Sequence, residues 1–316
     1  RILPEAAVRI LREHCQLEVH SETVPLTKAE LMARLADKDG LVCQLTQVVD
    51  AEVLAAAPHL RVVANVAVGY DNVDVAAATR HCIAVTNTPG VLDETVADFT
   101  WALLLAAARR VAEADQFVRS GAWRGWDLHL LLGTDVHGKT LGIFGFGRIG
   151  RRVAQRACGF AMRTLYYDPV PAPAEVEREL KAQRVDRETL LREADFLSLH
   201  LPLTPQTGHC IGRPEFELMK PTAILINIAR GPIVDEAALV EALEQGKLAG
   251  AALDVFEDEP RVHPKLLAMK NVLLAPHLGS ASVETRTRMA VMAAENAVAV
   301  LKGERPPNIV NPEIYA

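Results

Sequence analysis

The chain has 316 residues, 50% of them apolar and 23% charged, with a net charge of −6 and five cysteines. That length and apolar content allow two domains with sizeable cores, and the acidic balance argues against a nucleic-acid binder, whose footprint is a basic patch. Cys15, Cys43, Cys82, Cys158 and Cys210 are scattered and free of any CxxC pair, which supports neither a disulfide framework nor a zinc site and fits a reducing cytoplasm; the apolar stretches are too short to span a membrane, and no secretory signal opens the chain.

The first segment, with Pro4 near its start and then Ala6, Val8, Ile10 and Leu11, predicts a helix. An α/β domain normally opens with a strand before such a helix, so that strand is expected to be absent or trimmed. Strand-like and helix-like pieces then alternate. "GLVCQL" (Gly40–Leu45), "RVVANV" (Arg61–Val66) and "IAVTN" read as strands. "TKAELMARLA" and "DAEVLAAA" read as helices with Thr27 and Asp50 as N-caps. Such alternation predicts a parallel sheet with covering helices. A long helix, about Glu94 to Val111, is apolar nearly all round and is expected to be buried, against a second subunit among other surfaces. An irregular stretch with Trp123, Trp126 and His129 follows and reads as a dimer arm.

From Lys139 a cleaner βαβ series begins. Its predicted strands are "TLGIFGFG", "RTLYYD", "ADFLSLHLP", "AILINIA", "LAGAALDVF" and "NVLLAPH", and "PVPAPAEVERE" reads as a turn. One helix is expected from Asp235 as N-cap to Gly246 as its stop, and the last from about Val283 to Leu301.

The turn "GFGRIG" (Gly145, Gly147, Gly150) closes a strand and opens a helix, and a second strand ends at Asp168. This is the context in which a GxGxxG turn reads as a dinucleotide site rather than a tight connection. The first glycine makes the turn, the second lets backbone approach a pyrophosphate, and the third lets helix and strand pack closely. The N–H groups of Arg148 and Ile149 would face the phosphate. Asp168 is then expected on the adenosine ribose, where its charge repels a 2′-phosphate and favours NAD(H), with NADP(H) left open.

Three polar residues follow strands of this series: Arg230 after "AILINIA", Glu259 after "AALDVF", and His277 at the end of "NVLLAP". Singly, Glu259 reads as part of a solvated acidic loop and His277 as a core histidine. Ligands of open parallel sheets bind at strand carboxyl ends, and there the three form one set. A guanidinium fork holds a carboxylate and polarises a carbonyl. A histidine gives a proton, and an adjacent carboxylate holds its ring. Asp254, ending "AALD", is expected to take a nicotinamide amide.

The segments "LGIFGFGRIGRRVA", "LHLPLTPQTGHCIG", "MKPTAILINIARGPIVDEAAL", "AALDVFEDEP" and "APHLGSAS" resemble the successive signatures of the D-isomer-specific 2-hydroxyacid dehydrogenases. The resemblance covers nearly the whole chain. It implies an α/β fold of two Rossmann-like domains with parallel sheets and an active site in the cleft between them. It implies a substrate domain from residues 1–91 plus 282–316, an NAD(P)-binding domain from 92–281 with a dimerisation helix and arm over about 94–138, and a homodimer. Arg230, Glu259 and His277 fall on the family's catalytic positions. In "VAVGYDNVD" the N–H groups of Val68 and Gly69 fall where the family cradles the substrate carboxylate.

Within the family the chain looks most like glyoxylate/hydroxypyruvate reductases. A short D-3-phosphoglycerate dehydrogenase, a 2-ketogluconate reductase and an NAD(H)-sensing corepressor-like scaffold are the alternatives. Formate dehydrogenases carry Gln where Glu259 stands, and phosphite dehydrogenase carries Lys at Val68. Many glyoxylate/hydroxypyruvate reductases carry Arg or Ser where Asp168 stands and use NADPH, so the resemblance and the ribose argument pull the cofactor choice in different directions.

Overall fold

In the computed structural model, which describes residues 2–22 and 24–316, the chain divides into two units: Arg1–Leu92 with Ala281–Ala316, and Asp93–Ser280. The first unit holds α1 (Glu5–His14), α2 (Lys28–Leu35), β1 (Gly40–Cys43), α3 (Ala51–Ala55), β2 (Val62–Asn65), α4 (Val75–Arg80) and β3 (Ala84–Thr86). The strands pair in parallel in the order β1-β2-β3. Local chemistry sets the helix starts. Thr27 and Glu30 form a reciprocal capping box on α2, Asp50 accepts from the Val53 N–H, and Asp74 accepts from the Ala77 N–H. Successive strand residues face opposite sides. Val62, Ala64 and Ala84 therefore pack with Ala7, Leu11 and Ala293, while Val63 and Val85 pack with Leu31, Val53 and Ala77.

The final helix of the chain, Val283–Leu301, lies against α1 and β2, so both ends of the sequence build this unit. Beyond it, Ile309 bridges Thr86 in antiparallel fashion, and the buried Asn311 side chain accepts from the Val85 N–H at 2.8 Å and donates to the Ile83 carbonyl at 2.9 Å. This tail covers the open edge of β3, and sheet edges left bare invite wrong pairing.

The second unit contains α5 (Asp93–Ala108), α6 (Val111–Arg119), β4 (Thr140–Phe144), α7 (Arg148–Ala157), β5 (Arg163–Tyr167), α8 (Ala174–Leu180), β6 (Ala182–Arg184), α9 (Arg187–Glu193), β7 (Phe196–Leu199), α10 (Arg213–Leu218), β8 (Ile224–Asn227), α11 (Glu236–Glu244), β9 (Gly250–Leu253), α12 (Pro264–Ala268) and β10 (Val272–Leu274); Val283–Leu301 is α13. All pairs in its seven-stranded sheet are parallel, in the order β10-β9-β8-β7-β4-β5-β6. The chain grows outward from β4 in one direction and resumes at β7 in the other. The carboxyl ends of β4 and β7 therefore flank the crevice where such sheets bind ligands.

Four local readings change. The helix predicted over about Glu94–Val111 is α5, which stops at Ala108, and a further helix, α6, starts at Val111 after Arg110 adopts a left-handed conformation (φ +54°). Nor is α5 buried all round. Val96, Ala97, Trp101, Leu103 and Leu104 are buried, whereas Asp98 and Ala102 are exposed. Much of the stretch read as a turn is α8, and the short edge strand β6 adds a seventh strand to the sheet. The five cysteines are free, and among the described residues no helix is long and apolar enough to cross a membrane.

Candidate active site

The glycine turn sits at the carboxyl end of β4, at the switch point. Gly145 has φ +93°, and a Cβ there would come within 2.6 Å of the His200 carbonyl just past β7. Only glycine combines that backbone with that approach. A Cβ on Gly150 would collide with the Gly145 carbonyl, so α7 can pack this closely only without a side chain there. Beside Gly147 the space is open: a Cβ there would meet nothing within 4 Å, and Gly147 and Arg148 are exposed. No side chain caps α7, which leaves its first N–H groups, those of Arg148 and Ile149 among them, to an anion. These features fit a dinucleotide pyrophosphate.

Asp168, half-buried at the end of β5, accepts from the Phe146 N–H at 2.8 Å and from the Val170 N–H at 2.9 Å. It thus ties the end of its strand to the glycine turn. Each oxygen has one backbone partner and keeps capacity for a second. From β6, Arg184 donates to the carbonyls of Asp168 and Pro169, which fixes this corner.

Arg230, Glu259 and His277 all follow carboxyl ends of strands on the β7 side. His277 Nδ1 lies 2.9 Å from Glu259 Oε2, and Glu259 Oε1 accepts from the Phe256 N–H at 3.1 Å. Burial alone would push Glu259 up, but the hydrogen bond and charge of His277, the Phe256 N–H and the charge of Arg230 together hold it below its ordinary value. An ionised Glu259 draws the hydrogen of the ring onto Nδ1, leaving Nε2 for the exchangeable proton. The charge of Arg230 bears on the same carboxylate, so the three residues form one electrostatic unit.

Buried polar side chains hold this unit from behind. Asn227, the last residue of β8 and almost wholly buried, donates to the Arg230 carbonyl at 3.0 Å and accepts from the Ala229 N–H at 3.1 Å. Gly231 lies so close to the Phe256–Glu257 peptide that a Cβ would collide with its carbonyl, which locks the Arg230 turn to the segment leading to Glu259.

The sequence points Asp254 toward a nicotinamide amide; in the structure its carboxylate also engages backbone. It is wholly buried, and its two oxygens accept from the Leu278 and Gly279 N–H groups at 2.7 and 2.8 Å. Burial pushes its carboxyl up, against the pull of those two donors. The Asp254 carbonyl also accepts from the His277 N–H at 2.8 Å, and His277 sits in a left-handed conformation (φ +55°). Asp254 is therefore the anchor of the His277 turn.

In the first unit, the loop after β2 has its carbonyls turned inward. Ala67 O accepts from the Thr88 N–H at 2.8 Å, and Tyr70 O from the Val73 N–H at 3.0 Å. Between them, Val68 O accepts from Asn87 Nδ2 at 2.8 Å and Gly69 O from Asn65 Nδ2 at 2.9 Å. Among the described residues the N–H groups of Val68 and Gly69 have no partner. Two adjacent donors left over in a pinned loop make a site for an anion. Sequence reading did not single out Asn65, Asn87, Asn227 or Arg184. The available signal was an asparagine closing an apolar strand, in "VVAN" and in "ILIN".

Residues 101–279 match the family described as D-isomer specific 2-hydroxyacid dehydrogenase, NAD binding domain. The chain is 53% identical to a glyoxylate reductase of Thermococcus gammatolerans over 99% of its own length and 95% of the relative's. Among solved structures, a Thermus thermophilus protein superposes with a TM-score of 0.92 at 47% identity, covering 98% of both chains. An NADPH-dependent glyoxylate/hydroxypyruvate reductase of Sinorhizobium meliloti, in complex with NADP and malonate, gives a TM-score of 0.87 at 34% identity, covering 98% of this chain and 94% of that one. The parallel sheet with its glycine turn at the switch point, the paired histidine and glutamate, and a likeness that runs the length of the chain make it a member of the D-isomer specific 2-hydroxyacid dehydrogenase family.

Proposed function

We propose that the chain reduces a small 2-oxo acid of the glyoxylate or hydroxypyruvate type to the D-2-hydroxy acid, with NADH as the favoured reductant. The observation that carries this reading is the His277–Glu259 pair, under the charge of Arg230, at the strand ends of an NAD-binding sheet. When bound, the nicotinamide supplies the hydride. His277 holds a proton at Nε2 and gives it to the carbonyl oxygen as that oxygen gains charge. Glu259 keeps the ring oriented through its hydrogen bond to Nδ1. Arg230 takes the carbonyl and carboxylate oxygens, a task suited to its planar fork. The Val68 and Gly69 N–H groups receive the carboxylate in the first unit, as the inward-turned carbonyls around them support.

Asp168 supports NADH, since its carboxylate would stand against a 2′-phosphate. A homodimer is supported by an exposed apolar run that includes Trp123, Trp126, Leu128 and Leu132, with Trp126 83% exposed; apolar patches of this kind mark interfaces.

Mixed with NADH and glyoxylate, hydroxypyruvate, pyruvate, 2-ketogluconate or phosphohydroxypyruvate, the enzyme should oxidise the cofactor fastest with one of the first two; no oxidation with any of them ends this reading. His277→Ala should lower kcat by roughly 10²- to 10⁴-fold, and Arg230→Ala should also raise KM; unchanged constants in Arg230→Ala would remove its clamp role. Glu259→Gln, which removes the carboxylate that pairs with His277 Nδ1, should lower kcat with the KM for the 2-oxo acid little changed; an unchanged kcat would show that the pair does no work in the reaction. Asp168→Ala should relax the preference for NADH over NADPH, and an unchanged ratio of the two kcat/KM values would take Asp168 out of the ribose site. Light scattering should give twice the chain mass; a monomer at assay concentration would overturn the dimer.

A further inference from the structure

We infer that Asn65 and Asn87 are positioning residues for substrate: two side-chain amides that hold the Val68–Gly69 peptide segment in the one orientation that aims its N–H groups at a carboxylate. The inference rests on the proposed reduction of a 2-oxo acid and deepens it by naming what builds the carboxylate subsite in the first unit.

A peptide that presents its N–H to a ligand must send its carbonyl the other way. That carbonyl needs a donor if it is turned toward the protein. Among the described residues no backbone N–H donates to either of the two critical carbonyls in this loop. Instead Asn87 Nδ2 meets Val68 O at 2.8 Å and Asn65 Nδ2 meets Gly69 O at 2.9 Å. The amide is suited to this, because it donates twice without carrying charge toward or away from the anion.

Both asparagines are themselves held. Asn65 is wholly buried at the end of β2, and Asn72 braces it: Asn65 Nδ2 also donates to Asn72 Oδ1 at 3.0 Å, and Asn72 Nδ2 donates to the Gln47 carbonyl at 2.9 Å. The Asn87 carbonyl accepts from Asn296 Nδ2 of α13 at 3.3 Å, and the Asn87 N–H donates to the Asn308 carbonyl at 3.3 Å. A pre-organised subsite of this sort lowers the ordering cost of binding and leaves the proton and hydride steps alone. Losing either amide should therefore appear in KM.

The test uses the full-length enzyme with NADH and glyoxylate. Asn87→Ala should raise the KM for glyoxylate about tenfold, the effect of one lost hydrogen bond, with kcat at saturating substrate and the dissociation constant for NADH within about twofold of the parent, since uniform binding alone is removed. Asn65→Ala should act in the same sense. Asn87→Leu, which keeps the branching at Cγ and removes the donor, should match Asn87→Ala and serves if the alanine variant does not fold, as judged by circular dichroism. A folded, active Asn87 variant with unchanged KM overturns the inference, as does a variant in which kcat and NADH binding fall together with KM intact. If the parent enzyme reduces none of the 2-oxo acids, the functional reading fails and takes this inference with it; an active parent with an unmoved KM in the variants sinks this inference alone.

Discussion

The reversal of strand order between β4 and β7 is the constraint on which the second unit depends. Parallel strands connected by covering helices all end on the same edge of the sheet, and where the order reverses the flanking connections run to opposite faces. That leaves a crevice with no chain crossing it. The glycine turn stands on one side of it and the turns bearing Arg230, Glu259 and His277 follow strands on the other. The topology thus gathers the glycine turn and the paired His277 and Glu259 at rigid strand ends.

A second regularity is the use of buried polar groups as pins. Asn227, Asp254, Asn65 and Asn311 are each wholly or almost wholly buried, and each bonds to backbone groups of a neighbouring turn or strand. A buried amide or carboxylate without partners would cost stability. With partners it fixes a turn that has no regular structure of its own. The left-handed backbone of His277 persists because Asp254 holds the peptides on its far side. Arg230 is held in a comparable way, by Asn227 behind and by the close seat of Gly231 on the Phe256–Glu257 peptide.

Much of this was readable in the amino-acid sequence. The alternation of apolar runs with capped helices foretold parallel sheets, and Thr27, Asp50 and Asp235 do cap helices. Glycine spacing and the polar residue after each late strand foretold that the glycine turn, Arg230, Glu259 and His277 stand past strand carboxyl ends, because apolar runs that close on such residues mark where strands stop. The residues that stayed hidden are those whose work depends on distant partners. The left-handed turn at Arg110 has no glycine to announce it. The strand β6 is three residues long with two of them exposed, too short for a pattern. The hold of Asp254 on the His277 turn was not readable either, because the donors it accepts from lie 24 and 25 positions later.

The hold of Asn311 on β3, and of α13 on α1 and β2, also orders events in time. The second unit is one continuous stretch, Asp93–Ser280, and every strand of its sheet is available once that stretch has left the ribosome. The first unit is split, and α13 and the segment along the β3 edge come from residues made after that stretch. Domains fold as units, early ones during synthesis. The nascent chain can therefore complete its nucleotide-binding unit while the first unit still waits, one face of its sheet covered by α1 without α13, for the later segment to be made.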